Sequence, residues 1–133
     1  MSKRVAVAVL CGGPSSEREV SLASGRNIAK ALDKNKYAAC IIEIPKDRGE
    51  ILKLFAAPKT FVDIDLALIA LHGTFGEDGV VQNLLDLRGI AYTGSGPVTS
   101  ALGMDKVITM TVARASGLRV PEFFTVQKHS NIL

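Results

Sequence analysis

The chain has 133 residues, of which 47% are hydrophobic and 22% charged, and its formal net charge is +3. That length suits one domain with a full hydrophobic core, and the scattered basic residues without interleaved aromatics argue against nucleic-acid binding. No stretch approaches the ~20 apolar residues of a membrane span, and the apolar run near the N-terminus is too short for a signal sequence, so we expect a cytoplasmic protein with no membrane partner.

The first predicted elements are a buried strand and an amphipathic helix. Val5 to Leu10 is a continuous apolar run, typical of a strand covered on both faces of a parallel sheet. A Gly-Gly-Pro turn at 12–14 ends it, and Ser16 with Glu19 then forms a Ser-x-x-Glu capping box. The helix is predicted to place Val20, Ala23, Ile28, Ala31 and Leu32 near its buried face, with Arg18, Arg26 and Lys30 off that face.

The middle of the chain repeats this alternation. Ala38 to Ile44 is predicted as the second strand, and residues 47–57 as a short amphipathic helix. Leu66 to Leu71 is the third strand, followed by the loop HGTFGEDG, in which Asp78 is well placed to cap the next helix. Both cysteines, Cys11 and Cys40, fall in apolar strand-like segments and are predicted to be buried free thiols.

The last predicted elements are a short strand and two helices. Residues 90–93 form the fourth strand, and Gly94-Ser95-Gly96 is a further glycine turn. Pro97 suits the first position of a helix, Asp105 begins a second one, and FFTV at 123–126 is strand-like. The strand–helix alternation predicts right-handed βαβ crossovers and an α/β fold with a mostly parallel sheet covered on both faces.

Three of the predicted strands run into glycine-rich loops. In an open parallel sheet the carboxyl ends of the strands meet at one edge, where ligands bind. The turn after the first strand also presents a helix N-terminus, which favours anionic groups. We therefore expect one candidate site to contain Ser15, Ser16, Glu17, His72, Glu77 and Asp78.

Several other kinds of site do not fit these loops. The first turn lacks the third glycine of a dinucleotide fingerprint, and no G-x-x-x-x-G-K-[ST] phosphate loop or G-x-S-x-G nucleophile elbow is present. His72, Glu77 and Asp78 lie on one short loop without a second histidine, so no metal site is predicted. By pattern alone Ser16, Glu19 and Asp78 are helix caps, and His72 is either a loop histidine or a ligand. Glu17 is free of the capping box and suits a substrate ammonium group.

Three segments carry a resemblance to a known family. GGPSSEREVSLASG at 12–25, ALHGTFGEDGVVQNLLDLRGIAYTGSG at 70–96 and ALGMDK at 101–106 resemble the N-terminal part of bacterial D-alanine–D-alanine ligases, within the ATP-grasp superfamily. The resemblance implies a three-layer, Rossmann-like α/β domain over residues 1–94 that binds substrate. Residues 95–133 would supply hinge helices and the start of a central ATP-grasp domain.

The same resemblance implies roles for individual residues. Glu17 matches the glutamate that holds the ammonium group of the first D-alanine and is the implied catalytic-site residue; His72 matches a histidine beside that substrate, with Ser16 as a further substrate-binding residue. Lys106 matches a lysine that reaches the phosphates of ATP, and Glu77 has a supporting role. The physics agrees, because a carboxylate binds an ammonium through a charge-assisted hydrogen bond, and a lysine neutralises a transferring phosphoryl group.

The resemblance also implies the reaction and its partners. The family joins two D-alanines with ATP through an acylphosphate, forming the dipeptide of peptidoglycan, with Mg²⁺ as cofactor and a homodimer as the assembly. The adenine pocket, the catalytic arginine and the magnesium ligands fall outside the matched segments, so this chain alone is expected to be inactive. Two alternatives stay open: a ligase that takes D-lactate or D-serine second, and a non-catalytic dimerisation module.

Overall fold

The structure is a computed structural model that describes residues 3–126. Strands and helices alternate through the first four pairs of elements, and a fifth helix follows. In chain order they are β1 (Val5–Gly12), α1 (Arg18–Ala31), β2 (Tyr37–Ile44), α2 (Arg48–Ala56), β3 (Leu66–Ile69), α3 (Val80–Leu87), β4 (Ala91–Tyr92), α4 (Pro97–Met104) and α5 (Lys106–Ala115).

The four strands form one parallel sheet in the order β2-β1-β3-β4. β1 is central: it pairs with β2 from Val5↔Tyr37 to Gly12↔Ile44 and with β3 from Val7↔Leu66 to Leu10↔Ile69. The predicted parallel α/β fold is confirmed. Since every strand runs the same way, the loops after β1, β3 and β4 leave the sheet at the same edge.

The side chains of β1 alternate between the two faces of the sheet. Val7, Val9 and Cys11 pack in one cluster with apolar residues of α1, while Ala8 and Leu10 belong to the cluster on the other face. That second cluster includes Ile51 and Phe55 of α2 and Val81 and Leu85 of α3. Helices therefore cover both faces, which gives the three layers expected of a parallel sheet.

The two cysteines occupy different environments. Cys11 is 1% exposed, whereas Cys40 lies on the exposed part of β2, so the prediction of two buried thiols is wrong for Cys40. Among the described strands β2 pairs only with β1, and an edge strand is covered less than a central one. Burial raises the pKa of the Cys11 thiol, with a smaller contribution from the Glu43 carboxylate. The raised pKa disfavours the thiolate, and the buried Cys11 side chain packs with Val7, Val9 and Ala70.

The inner face of α1 is also different from the prediction. Val20 is 58% exposed and Ala23 is exposed, and the buried positions of the helix are Ser21 and Gly25. A Cβ added at Gly25 would lie 2.5 Å from the Cβ of Cys11. The helix therefore comes closest to β1 at its smallest residues, where larger side chains would not fit. Ile28 and Leu32 are partly buried against the same cluster, as predicted.

The C-terminal helices begin where the sequence predicts. Pro97 is at the start of α4, and the Asp105 carboxylate caps α5 by accepting from the N–H groups of Val107 and Ile108. The predicted strand at 123–126 is wrong, because residues 121–126 are irregular and pair with none of the described strands. Between residues 3 and 126, none of the helices has the length and apolar character that a membrane crossing requires.

Candidate functional site

The turn between β1 and α1 differs from the predicted capping box. The N–H of Arg18 donates to the carbonyl of Ser15 (3.2 Å), and α1 begins only after this turn, with Glu17 at the N-cap and no side-chain cap. The Ser15 hydroxyl accepts from the N–H of Glu17 at 3.1 Å. Ser16 lies within the turn and is exposed. The capping box of Ser16 and Glu19 is therefore wrong, because the N-cap is Glu17 and the helix starts one residue later than that motif requires.

Arg18 fixes the entrance of α1 to the ends of two strands. Its Nη1 donates to the carbonyls of Gly13 (3.1 Å) and Ile44 (2.6 Å), and its Nη2 forms an ion pair with Glu43. The Arg18 side chain is only 13% exposed, so its predicted place off the buried face is wrong. Helical periodicity could not reveal this role, because the partners are carbonyls that β1 and β2 bring together.

The loop after β3 brings a glycine against the first turn. Gly73 has φ +67, and a Cβ added there would lie 2.7 Å from Glu17 Oε2 and 2.8 Å from Ser15 Oγ. The N–H of Gly73 donates to Glu77 Oε2 at 2.8 Å. The carboxylates of Glu17 and Glu77 therefore approach the same residue from two loops. Only glycine combines this positive φ with the close approach of Glu17.

His72 and Asp78 have different roles in the same loop. The ring nitrogen Nε2 of His72 lies 3.3 Å from Ser24 Oγ of α1. The carboxylate of Asp78 accepts from the N–H of Phe75 (2.8 Å) and of Val80 (3.2 Å). The predicted N-cap at Asp78 is wrong by one position, because α3 has Gly79 as its N-cap without a side-chain cap, and Asp78 instead links the loop to the first residue of α3.

The structure thus assembles part of the predicted set. Ser15, Glu17, His72 and Glu77 lie together where the β1–α1 turn meets the β3–α3 loop. Lys106 is exposed at the start of α5, and no hydrogen bond or ion pair within the described residues joins it to that group.

A cavity of about 600 Å³ with a mixed polar and apolar lining adjoins Glu77. It lies between the β3–α3 loop, the end of β4 and α4. Its lining residues include three with hydroxyl groups: Thr93, Ser95 and Ser100. Gln82 also lines it and is 4% exposed; its Nε2 donates to the Gly76 carbonyl at 2.9 Å, while its Oε1 has no partner among the described residues. The site therefore combines two carboxylates, an imidazole and an adjacent cavity.

This arrangement is suited to a small cationic or amino group. Carboxylates bind ammonium ions through charge-assisted hydrogen bonds, and two carboxylates lie at Gly73. The nearby Arg18 guanidinium is already occupied by two carbonyls and Glu43. In residues 3–126 no group of three or more His, Cys, Asp or Glu side chains is arranged to hold a metal ion.

Comparison with known proteins identifies the family. Residues 6–55 and 47–95 match the family model described as D-ala D-ala ligase N-terminus, which spans both loops of the site. The chain belongs to this family. It is 44% identical over 126 residues to the D-alanine--D-alanine ligase of Clostridium beijerinckii, covering 95% of this chain and 40% of that protein.

Solved ligase structures have the same fold. The D-alanine--D-alanine ligase of Bacillus anthracis complexed with ATP superposes with a TM-score of 0.81 at 36% identity, over 99% of this chain and 41% of that one. The VanG D-Ala:D-Ser ligase of Enterococcus faecalis gives a TM-score of 0.73 at 26% identity, over 90% of this chain and 44% of that one. The chain thus spans about two fifths of these ligases, and the sequence resemblance is confirmed.

Proposed function

We propose that this chain is the substrate-binding N-terminal part of an ATP-dependent D-alanine–D-alanine ligase. In the reaction, the carboxylate of one D-alanine takes the γ-phosphoryl group of ATP and releases ADP. The amine of a second D-alanine then attacks the acyl carbon and expels phosphate, which yields the dipeptide used in peptidoglycan. The observation that carries the proposal is the convergence of Glu17, Glu77 and His72 at Gly73 in a chain of this family.

In this proposal Glu17 binds the ammonium group of the first D-alanine. The Glu17 side chain is exposed at the edge of the sheet, so its carboxylate is open to a ligand. Glu77 supports the loop through Gly73, and His72 and Ser16 complete the substrate-binding residues. With its ammonium group held by Glu17, the first D-alanine keeps its carboxylate free to be phosphorylated. The role of this subsite is therefore to orient the substrate.

ATP is proposed as the second ligand because the Bacillus anthracis relative is complexed with it. Lys106, in the first turn of α5 and exposed, would contact the phosphates through its ammonium group. Mg²⁺ is proposed for the full-length protein only. The described residues offer no ligand set for it.

Replacing Lys106 by alanine in the full-length protein is expected to raise the KM for ATP by about tenfold, because a charge-assisted contact to phosphate is lost. The KM for D-alanine should change little. Steady-state kinetics with either substrate varied would measure both constants. Arg119→Ala, which removes an exposed cation beyond the end of α5, provides the matched control. Unaltered ATP kinetics in the Lys106 variant would remove this residue from the proposed nucleotide site.

The second substrate has an alternative, because the VanG relative is a D-Ala:D-Ser ligase. The described site accounts for one amino acid only, and the choice between D-alanine, D-serine and D-lactate at the other position would depend on residues outside it. The decisive assay is phosphate release by the full-length protein with ATP and D-alanine, alone and with each competitor. D-alanyl-D-alanine as the main product supports the proposal, whereas absence of any D-alanine-dependent phosphate release would contradict it.

We also propose a domain boundary near Gly94 and a homodimeric assembly. Gly94 has φ +101 and open space around it, so the chain can change direction there, between β4 and α4. The exposed outer strand β2 supports self-association. A light-scattering molar mass of the protein used in the phosphate assay separates the alternatives: a dimer without activity would favour the non-catalytic dimerisation module.

A further inference from the structure

The inner face of α1 contains two serines one turn apart that both reach the end of β3. Ser21 is 0% exposed; its Oγ accepts from the N–H of Gly12 at 2.9 Å and donates to the carbonyl of Ala70 at 2.7 Å. Ser24, on the next turn, places its Oγ 3.3 Å from Nε2 of His72. One helix face therefore holds the backbone before His72 and also contacts its ring.

Both contacts depend on a close approach of α1 to the sheet, because a serine side chain is short. Gly25 permits the close approach, since a Cβ there would lie 2.8 Å from Cys11 Sγ. A helix held farther away by a larger residue could not reach β3 with side chains as short as serine.

The contact between Ser24 and His72 couples the direction of the hydroxyl hydrogen to the tautomer of the ring, since the hydroxyl can accept from Nε2–H or donate to a bare Nε2. A serine hydroxyl donates one hydrogen, and Nε2 of His72 is the only partner found for this hydroxyl within residues 3–126. When the hydroxyl donates, Nε2 must carry no hydrogen, and the proton of the neutral ring is at Nδ1. A hydrogen bond at one ring nitrogen thus determines whether the proton of the neutral ring is on that nitrogen or on the other.

We propose that Ser24 is a positioning residue for the first D-alanine site, and that it holds neutral His72 as the Nδ1–H tautomer while Ser21 fixes the backbone beside it. Ser24 acts through His72 and does not touch the substrate. The inference rests on the proposed function for its effect on catalysis, but the state of the His72 ring is independent of activity. The two ideas can therefore fail separately.

The test compares Ser24→Ala with Ser24→Thr in the full-length protein. Long-range ¹H–¹⁵N spectra of the histidine side chains, recorded where His72 is neutral, distinguish the two tautomers. We expect the Nδ1–H form in the wild type and in Ser24→Thr, and a shift towards Nε2–H in Ser24→Ala. His72→Gln assigns the signal, and Ser116→Ala removes an exposed serine after α5 as a matched control.

Kinetics supply the second measurement. Ser24→Ala should raise the KM for the first D-alanine by about fivefold, the equivalent of one neutral hydrogen bond. The kcat and the KM for ATP should be nearly unchanged. Ser24→Thr should restore the KM for D-alanine. An unchanged tautomer in Ser24→Ala would overturn the proposal, as would equal losses in kcat and in both KM values. If the full-length protein lacks ligase activity, the proposed function fails, and the spectra alone decide whether Ser24 sets the ring.

Discussion

Replacing Glu17 by glutamine is expected to raise the KM for the first D-alanine by about 10- to 100-fold, because a charge-assisted hydrogen bond to the ammonium group becomes a neutral one. Glutamine keeps the size of the side chain, so the close contact with Gly73 and the turn around Ser15 should persist. Steady-state kinetics of the full-length protein over a wide range of D-alanine concentration would measure the change, and the KM for ATP should stay within about twofold.

Glu19→Gln is the matched control for this variant. Glu19 has the same charge, lies two residues away in the first turn of α1 and is exposed. A general effect of removing one negative charge from this end of the protein would appear in both variants, whereas a ligand contact appears only at Glu17. Equal changes in the two variants, or no change at Glu17, would contradict the assignment of this carboxylate.

Replacing Gly25 by alanine is expected to lower the free energy of unfolding by about 2 kcal/mol through overpacking. The added Cβ would lie 2.5 Å from Cys11 Cβ and 2.8 Å from its Sγ, so α1 and β1 must move apart. Urea titration of the 133-residue chain, followed by circular dichroism, measures the loss. The same displacement would lengthen the contacts of Ser21 to Gly12 and Ala70.

Gly103→Ala is the control for this variant and is expected to change stability in the opposite direction. Gly103 also lies within a helix, but nothing is within 4 Å of the position that its Cβ would occupy. Alanine should therefore stabilise the chain there by up to about 1 kcal/mol, since it is the better helix former. If both variants changed the free energy of unfolding in the same direction, the close approach of α1 to β1 would not explain the loss of stability in Gly25→Ala.

The stability and the binding predictions are linked through α1. This helix begins next to Glu17, is fixed at its first residue by Arg18 to the ends of β1 and β2, and is fixed by Ser21 to β1 and β3. A site built in this way depends on a rigid contact between helix and sheet, because small displacements of a binding group reduce its contribution. We therefore expect Gly25→Ala to weaken D-alanine binding in the full-length protein as well.

The sequence by itself determined the features that depend on local pattern. Apolar runs between glycine turns predict a parallel α/β sheet, and Pro97 and Asp105 mark the starts of α4 and α5 where the structure has them. The motifs in both loops were sufficient to indicate the family that the comparison confirms. Periodicity, capping and motif spacing are properties of neighbouring residues, so they can be recognised without knowledge of the packing.

Only the tertiary structure decided which residues meet across the sheet. Gly73 and Glu17 come together from different loops, Ser21 reaches Ala70 although 49 residues separate them, and Arg18 finds its acceptors at strand ends. The exposure of β2 likewise follows from its place at the edge of the sheet. These contacts depend on strand order and on how closely α1 approaches β1, and that distance is set by the single missing Cβ at Gly25.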